Sequence, residues 1–88
     1  ISSGAFTGAA GTFTVTLNGT NYNVTLTGGE TAAATAALLN GVSGFNAAGL
    51  QASADASGRL IITSANGGFT ISGAGAGALA GTYNNGAS

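Results

Sequence analysis

Few side chains in this sequence could perform acid–base chemistry. Its 88 residues include three charged ones, Glu30, Asp55 and Arg59, and no histidine or cysteine. Two carboxylates act as an acid–base pair only when both enter one pocket with shifted pKa values. We expect Glu30 to lie at the start of a helix and Asp55 to pair with Arg59 at a hairpin. The sequence therefore predicts no catalytic residues.

Metal and cofactor chemistry is not indicated either. Zinc sites use Cys and His, and calcium sites usually need several carboxylates. The many serines and threonines have no His or Lys that could activate one of them as a nucleophile. Gly73-x-Gly75-x-x-Ala78 has part of the spacing of a dinucleotide-binding fingerprint, but no acidic residue follows it. We interpret this stretch as a loop of small residues and expect no metal and no cofactor.

The composition favours a structural role over binding to nucleic acids or membranes. One arginine cannot displace the counterions of a nucleic acid or hold an anionic membrane surface. No apolar run approaches the roughly 20 residues that span a bilayer. A net charge of −1 predicts poor solubility as a free monomer, which favours packing in an assembly. A small, neutral, threonine-rich composition also fits an exported bacterial surface protein.

The length allows one domain. We expect residues 1–10 to be an entry segment or linker, residues 11–84 to form one small domain, and residues 85–88 to be a tail. The chain starts at Ile1 and ends at Ser88 without a clear stop, so we expect it to be a fragment of a longer chain.

Two strands are predicted before the helix. Gly11–Asn18 and Asn21–Thr27 alternate apolar and polar residues, which is typical of half-buried strands. Asn18-Gly19 between them is a strong hairpin signal. A tip at Gly19-Thr20 pairs all the large apolar residues, whereas a tip at Asn18-Gly19 leaves one of them opposite a glycine. We prefer the first register because cross-strand pairs of large residues stabilise sheets.

The helical signal runs from Thr27 to Val42. Thr27 and Glu30 have the spacing of a capping box, with Thr31 as a competing N-cap. Glu30 would then lie in the first turn, where the helix dipole favours a negative charge. Asn40-Gly41 is expected to end the helix through a left-handed residue. The predicted buried face consists of Ala34, Ala37, Leu38, Gly41 and Val42.

A second hairpin is predicted after the helix. Leu50–Asp55 and Arg59–Ser64 flank a three-residue loop with Gly58 in the left-handed bulge position, which places Asp55 opposite Arg59. A four-residue loop over 65–68 would then bring Phe69–Ser72 beside Arg59–Ser64. We expect a loop with a brief helical turn over residues 73–81 and an edge strand over residues 81–84.

These elements together predict an α+β fold. Hairpin, helix and second hairpin or meander would form a small antiparallel sheet with one helix packed on a face. Phe45, in the crossover after the helix, is available to fill the core.

The string from Thr31 to Ser72 resembles the flagellin hook IN motif, a family found in flagellins and flagellar hook-associated proteins. That pattern has a hairpin, an alanine-rich helix ending in Ile-Asn, a crossover, and a strand–turn–strand unit. Leu39-Asn40 occupies the Ile-Asn position here, and Arg59–Ser64 matches the later strand. The resemblance covers residues 12–72. It implies a solvent-facing domain outside the helical core of a bacterial filament.

One face of the first hairpin is predicted to be flat and uncharged. We weigh two interpretations of it about equally, a packing face against a neighbouring subunit and an ordinary solvated strand face. Ile61, on the outer side of a later strand, is expected to add to a contact surface. The candidate contact residues are Thr12, Thr14, Thr16, Asn23, Thr25 and Ile61.

The sequence also contains glycosylation signals. Asn18-Gly19-Thr20 and Asn23-Val24-Thr25 are formal N-glycosylation sequons, which matter only in a compartment with that machinery. The flagellin resemblance also implies O-linked glycans on exposed Ser or Thr residues.

We therefore expect a non-enzymatic structural domain of an extracellular bacterial filament, with copies of itself or neighbouring filament subunits as partners. Two alternatives remain open. One is a module that binds a glycan or a receptor through Tyr22, Tyr83 and the threonine-bearing strand face. The other is a structural domain of a phage or another virion.

Overall fold

The computed structural model describes residues 6–84 and 86–87, and its fold is α+β, as the sequence predicts. In chain order the elements are β1 (Gly11–Leu17), β2 (Thr20–Leu26), α1 (Ala32–Asn40), β3 (Leu50–Ala54), β4 (Leu60–Ser64), β5 (Phe69–Ser72), a 3₁₀ helix (Ala74–Leu79), β6 (Gly81–Tyr83) and β7 (Gly86–Ala87).

The strands form two antiparallel sheets rather than the single sheet expected. The first has the order β2-β1-β5-β6, and the second has the order β3-β4-β7. Helix α1 packs mainly on β3 and also contacts β2 and β4. One hydrophobic cluster joins both sheets and the helix, and Phe13, Leu39, Phe45 and Ile62 are completely buried in it. The single core holds the two sheets together.

The register preferred for the first hairpin is wrong. Val15 lies opposite Tyr22 and Gly11 lies opposite Leu26, so the turn is Asn18-Gly19. Both turn residues have positive φ, 52° at Asn18 and 79° at Gly19. A two-residue hairpin turn of this type needs positive φ at both positions, which Asn and Gly adopt readily and a β-branched threonine does not. Turn geometry therefore outweighs the pairing of large side chains.

Of the two N-caps considered, the structure has Thr31, so the capping box of Thr27 and Glu30 is wrong and α1 starts at Ala32. Thr31 is the N-cap, and its Oγ1 accepts a hydrogen bond from the backbone N–H of Ala34 at 3.2 Å. Gly28 and Gly29 have φ values of 108° and 85°, which lie in the left-handed region and are incompatible with a right-handed helix. Glu30 consequently precedes the cap and lies outside the first turn.

The buried face of α1 also differs from the predicted one. Leu38 is 44% exposed, and Val42 lies beyond the helix, which ends at Asn40. Buried Thr35 was not expected on an apolar face, but its hydroxyl donates to the carbonyl of Thr31 at 3.0 Å and is thereby satisfied. The residues buried along the helix are Ala32, Thr35, Ala36 and Leu39.

The left-handed stop predicted at Asn40-Gly41 is wrong as well. Gly41 is right-handed, with φ −83°, and its N–H donates to the carbonyls of Ala37 and Leu38. The chain reverses later, at Gly44, whose φ is 85°. This reversal places Phe45 in the core, as expected, with its ring edge-on to Tyr22 at a centroid distance of 5.8 Å.

The second hairpin has the predicted register. Ala54 lies opposite Leu60 and Ala52 lies opposite Ile62. Gly58 has φ 79°, the left-handed conformation expected at the bulge position of this loop. The turn residues and the alternation of apolar and polar side chains were therefore sufficient to predict this hairpin.

Strand β5 does not pair with β4, so the predicted meander is wrong. Ile71 lies opposite Val15 of β1, and Phe69 lies opposite Tyr83 of β6. The loop after β4 is tied to the crossover, because the N–H of Ala65 donates to the carbonyl of Gly49 at 2.9 Å. The chain thus leaves one sheet and enters the other, where β5 pairs with the edge of β1 that β2 leaves free.

The glycine-rich stretch after β5 forms 3₁₀ turns on either side of a kink at Gly77, whose φ is 56°, close to the helical turn expected there. It packs against β1 and β5. Gly73, just before it, has φ 97°, and a Cβ at this position would collide with the carbonyl oxygen of Thr12. Only glycine allows this approach, so the stretch is part of the packed structure and does not lead into a full helix.

Both ends of the described chain join the core or a sheet. Phe6 is buried edge-on against Phe13 at 5.9 Å, so this part of the expected entry segment belongs to the domain. Residues 1–5 lie outside the described part. Residues 86–87 pair with Ile62 and Thr63, so the predicted tail contributes strand β7. Residues 85 and 88 are also outside the described part.

Candidate contact surface

The outer face of the four-stranded sheet carries hydroxyl and amide side chains only. Alternation along each strand turns the large residues inward and the polar residues outward. Residues directly opposite one another share a face, and the pairing extends this polar face across all four strands. We call this surface the threonine face; its members are Thr12, Thr14, Thr16, Asn21, Asn23, Thr25, Thr70, Ser72 and Thr82.

Hydrogen bonds between β1 and β2 organise one side of the threonine face. Thr14 Oγ1 donates to Asn23 Oδ1 at 2.7 Å, and Thr16 Oγ1 donates to Asn21 Oδ1 at 2.7 Å. Each bond joins residues directly opposite in the sheet, so it restricts both side chains. The result is an ordered array of neutral donors and acceptors.

The structure brings together five of the six predicted contact residues. Ile61 is the exception, because β4 belongs to the other sheet, where Ile61 lies half-buried opposite Ser53. The error follows from the wrong pairing of β5. Sequence reasoning missed four members of the face: Asn21, Thr70, Ser72 and Thr82. The alternation of Asn21–Thr27 was the available signal for the first, and that of Phe69–Ser72 for the next two.

Leu39 and Asn40, where the family resemblance is centred, connect the helix to the second sheet. Leu39 is fully buried. Asn40 makes two hydrogen bonds to the backbone of Ala52, with Nδ2 donating to the carbonyl at 2.8 Å and Oδ1 accepting from the N–H at 3.0 Å. Its amide therefore occupies the place of a neighbouring strand at the edge of β3.

Asn46 extends this arrangement along β3. Its Nδ2 donates to the carbonyl of Leu50 at 2.9 Å and to Asn40 Oδ1 at 3.2 Å. The same two asparagines help to line an open groove of 460 Å³, together with Gly49, Leu50 and Gln51. The amides of Asn40 and Asn46 bond to the backbone of β3, so their position at the groove is explained by protection of this strand edge.

The carboxylate of Glu30 organises the loop before the helix. Its Oε2 accepts from the backbone N–H of Thr27 at 2.8 Å and from Thr27 Oγ1 at 3.0 Å, and its Oε1 accepts from the N–H of Gly28 at 2.9 Å. The N–H of Thr27 is the largest cause of the lowered pKa of Glu30. Thr27, predicted to cap the helix and to end the second strand, thus belongs to a loop that follows β2.

Asp55 and Arg59 form the predicted pair in the second hairpin. Arg59 Nε donates to Asp55 Oδ2 at 2.7 Å, and the backbone N–H of Arg59 donates to Oδ1 at 2.9 Å. The backbone bond is the largest cause of the lowered pKa of Asp55, and the side chain of Arg59 adds to it. Glu30 and Asp55 therefore bond to the backbone of a loop and of a hairpin turn, and Arg59 pairs with Asp55.

Neither tyrosine provides an exposed aromatic platform. Tyr22 is 8% exposed and packs on Phe45, and Tyr83 is 7% exposed and stacks on Phe69. Burial raises the pKa of Tyr83. Tyr22 therefore lies on the core side of β2.

Within residues 6–84 and 86–87, no group of three His, Cys, Asp or Glu side chains lies close enough to hold a metal ion. In the same part of the chain, no helix combines the length and apolar character needed to cross a membrane. Both sequon asparagines, Asn18 and Asn23, are exposed, and Asn18 lies at the tip of the hairpin.

Comparison of the chain with protein-family models, with curated proteins and with solved structures found no significant match.

Proposed function

We propose that this chain is a non-catalytic structural domain on the outside of an extracellular bacterial filament, where it contacts neighbouring copies. The observation that carries the proposal is the threonine face, an uncharged polar surface that crosses all four strands of one sheet. Copies of such a surface can approach one another without charge repulsion. Many individually weak contacts of this kind add up along a polymer.

The positions of the charges support the same proposal. Glu30 holds the loop before the helix, and Asp55 and Arg59 hold the second hairpin. None of the three belongs to the threonine face. Contacts made through this face would therefore depend on shape and hydrogen bonding and would change little with salt.

The flagellin hook IN resemblance supplies the filament in this proposal, and the structure gives its central residues a physical role. Leu39 fills the core, and Asn40 holds the edge of β3. An apolar residue followed by asparagine at the end of the helix is what this packing requires. The filament itself is proposed from the resemblance.

The alternative of a glycan- or receptor-binding module loses its aromatic component, because Tyr22 and Tyr83 face the core. A role in a virion would use the same neutral surfaces, so we retain it as an outcome of the test and do not propose it.

Immunogold electron microscopy tests the location. Antibodies raised against the 88-residue chain are applied to intact cells that produce it, with pre-immune serum as the control. We expect gold particles along the outside of filaments that extend from the cell surface. Labelling confined to the cell interior, or to released virions, would contradict the proposal.

A further inference from the structure

Strand β2 is the outer strand of the four-stranded sheet, and its free edge carries regularly spaced backbone groups. Leu17 and Thr20 flank the two-residue turn and therefore form a hydrogen-bonded pair, and such pairs alternate along an antiparallel hairpin. Tyr22 and Val24 then bond to β1, whereas the N–H and C=O groups of Asn21, Asn23 and Thr25 point away from it. Among the described residues, no strand lies on that side.

The edge of β2 lacks the protection found at other edges of this molecule. Asn40 and Asn46 cover the backbone of β3, and β6 has three residues only. Strand β2 has seven residues, and it contains no charge, no proline and no bulge. Natural proteins usually protect long edges with such features, because an open edge pairs readily with another strand.

The spacing of the free groups makes this edge complementary to itself. Two antiparallel β2 strands can be placed with Asn23 opposite Asn23 of the second copy. Asn21 then lies opposite Thr25 in both directions, and the three pairs can form about six backbone hydrogen bonds. On the inner side, half-buried Val24 lies opposite Tyr22 of the second copy, which is a favourable aromatic and β-branched pair.

We propose that β2 pairs edge to edge with β2 of a second copy of this chain, about a two-fold axis at Asn23. The occupant is a second copy because Asn23 is the centre of the strand, so that all three free positions find a partner in this arrangement, and because two uncharged strands meet without repulsion. Pairing would join the two threonine faces into one surface of eight strands. The inference rests on the proposed function in that copies of the chain must meet, and it names the element through which they do so.

Single-cysteine variants test this register, since the chain has no cysteine of its own. Opposite residues in a hydrogen-bonded pair have Cα atoms about 5.5 Å apart, within the range of a disulfide. The 88-residue chain with Asn23→Cys is oxidised with copper–phenanthroline at high protein concentration, and dimer is measured on a non-reducing gel. Asn21→Cys and Thr25→Cys are matched controls on the same strand, and Thr82→Cys lies on the far side of the threonine face.

We expect Asn23→Cys to form about ten-fold more dimer than any of the three controls alone. A mixture of Asn21→Cys with Thr25→Cys should cross-link as well as Asn23→Cys, because these positions lie opposite each other between copies. Equal cross-linking by all variants, or preferential cross-linking of Thr82→Cys, would show a different contact and overturn the edge proposal. Circular dichroism checks that each variant is folded.

Amide hydrogen exchange of the unmodified chain provides a test without substitutions. The amides of Asn21, Asn23 and Thr25 should exchange about ten-fold more slowly when the chain is concentrated, because they become hydrogen-bonded. Those of Tyr22 and Val24, already bonded to β1, should change little. Unchanged exchange at all five positions would overturn the edge proposal while leaving the immunogold result, and hence the proposed function, unaffected.

Discussion

Asn40 links the helix to the second sheet through its side chain. Its side-chain amide donates to and accepts from the backbone of Ala52, so it satisfies two groups that the edge of β3 would otherwise expose. The sequence marks this residue only through a family resemblance, and as a helix stop. The structure shows that its role lies 12 residues further along the chain.

Replacing Asn40 should weaken the domain. We expect Asn40→Ala to lower the free energy of unfolding by about 1–3 kcal/mol, because both hydrogen bonds to Ala52 are lost at once. Gln51→Ala, which removes an exposed amide side chain from the same strand β3, is the matched control and should change it by less than about 0.5 kcal/mol. Urea denaturation measures both values. An equal effect of the two substitutions would show that Asn40 has no special role.

The two carboxylates should make stability depend on acid. Their pKa values are lowered from 4.5 for Glu30 and 3.8 for Asp55, mainly by the backbone N–H groups of Thr27 and Arg59. A lowered pKa adds stability above the unfolded-state value, and this stability is lost as the pH falls through the folded-state value. We expect unfolding free energy to be level between about pH 7 and 5.5 and to fall below about pH 4.5.

Glu30→Gln and Asp55→Asn test the origin of that dependence, because each removes one titrating group and keeps its shape. The double variant should lose stability less steeply between about pH 4.5 and 2.5 than the unmodified chain. Urea midpoints measured across this range decide the matter. The same steepness in both proteins would place the acid sensitivity elsewhere.

At the scale of elements, local sequence signals predicted most strands and turns correctly. They did not predict which strands lie next to each other or in which register. Alternation located most of the strands, and Gly58 with its flanking charges gave the correct second hairpin. The first register failed because the requirement for positive φ at Asn18-Gly19 was weighed below side-chain pairing. Strand β5 was misplaced because its alternation fits either sheet, and only the shared core decides between them.

The helix shows the same limit. Its alanine-rich composition indicates a helix, but small residues occur on every face of it. The sequence therefore gives little contrast in hydrophobicity between the buried and the exposed face. Leu38 and Leu39 are adjacent and chemically identical, yet one is 44% exposed and the other is fully buried. The end of α1 at Asn40 removes Val42 from the helical face, and with it the main reason to place Leu38 inside.

This pair of leucines allows a direct measurement. Leu39→Ala should lower the free energy of unfolding by about 2–5 kcal/mol, because it leaves a cavity in the core. Leu38→Ala should change it by less than about 0.5 kcal/mol. Denaturant midpoints of the two variants are compared with that of the unmodified chain. A larger loss for Leu38→Ala would restore the helix face predicted from the sequence.

At the scale of the whole molecule, one thin core supports two sheets whose exposed surfaces are nearly free of charge. The threonine face could be predicted in part, from β1 and β2, and its extension over β5 and β6 required the sheet order. The open edge of β2 could not be predicted, because edge and centre strands have similar patterns here. A small neutral domain with an extended polar face is well suited to repeated contacts between identical copies.

Cryo-electron microscopy of the assembly that contains this chain is the most direct test of the central claim. A helical reconstruction should place the domain on the outside of a filament, with the threonine face or the edge of β2 directed at a neighbouring copy. Domains that stand apart from one another, with both of these surfaces in solvent, or a location outside any filament, would contradict the account.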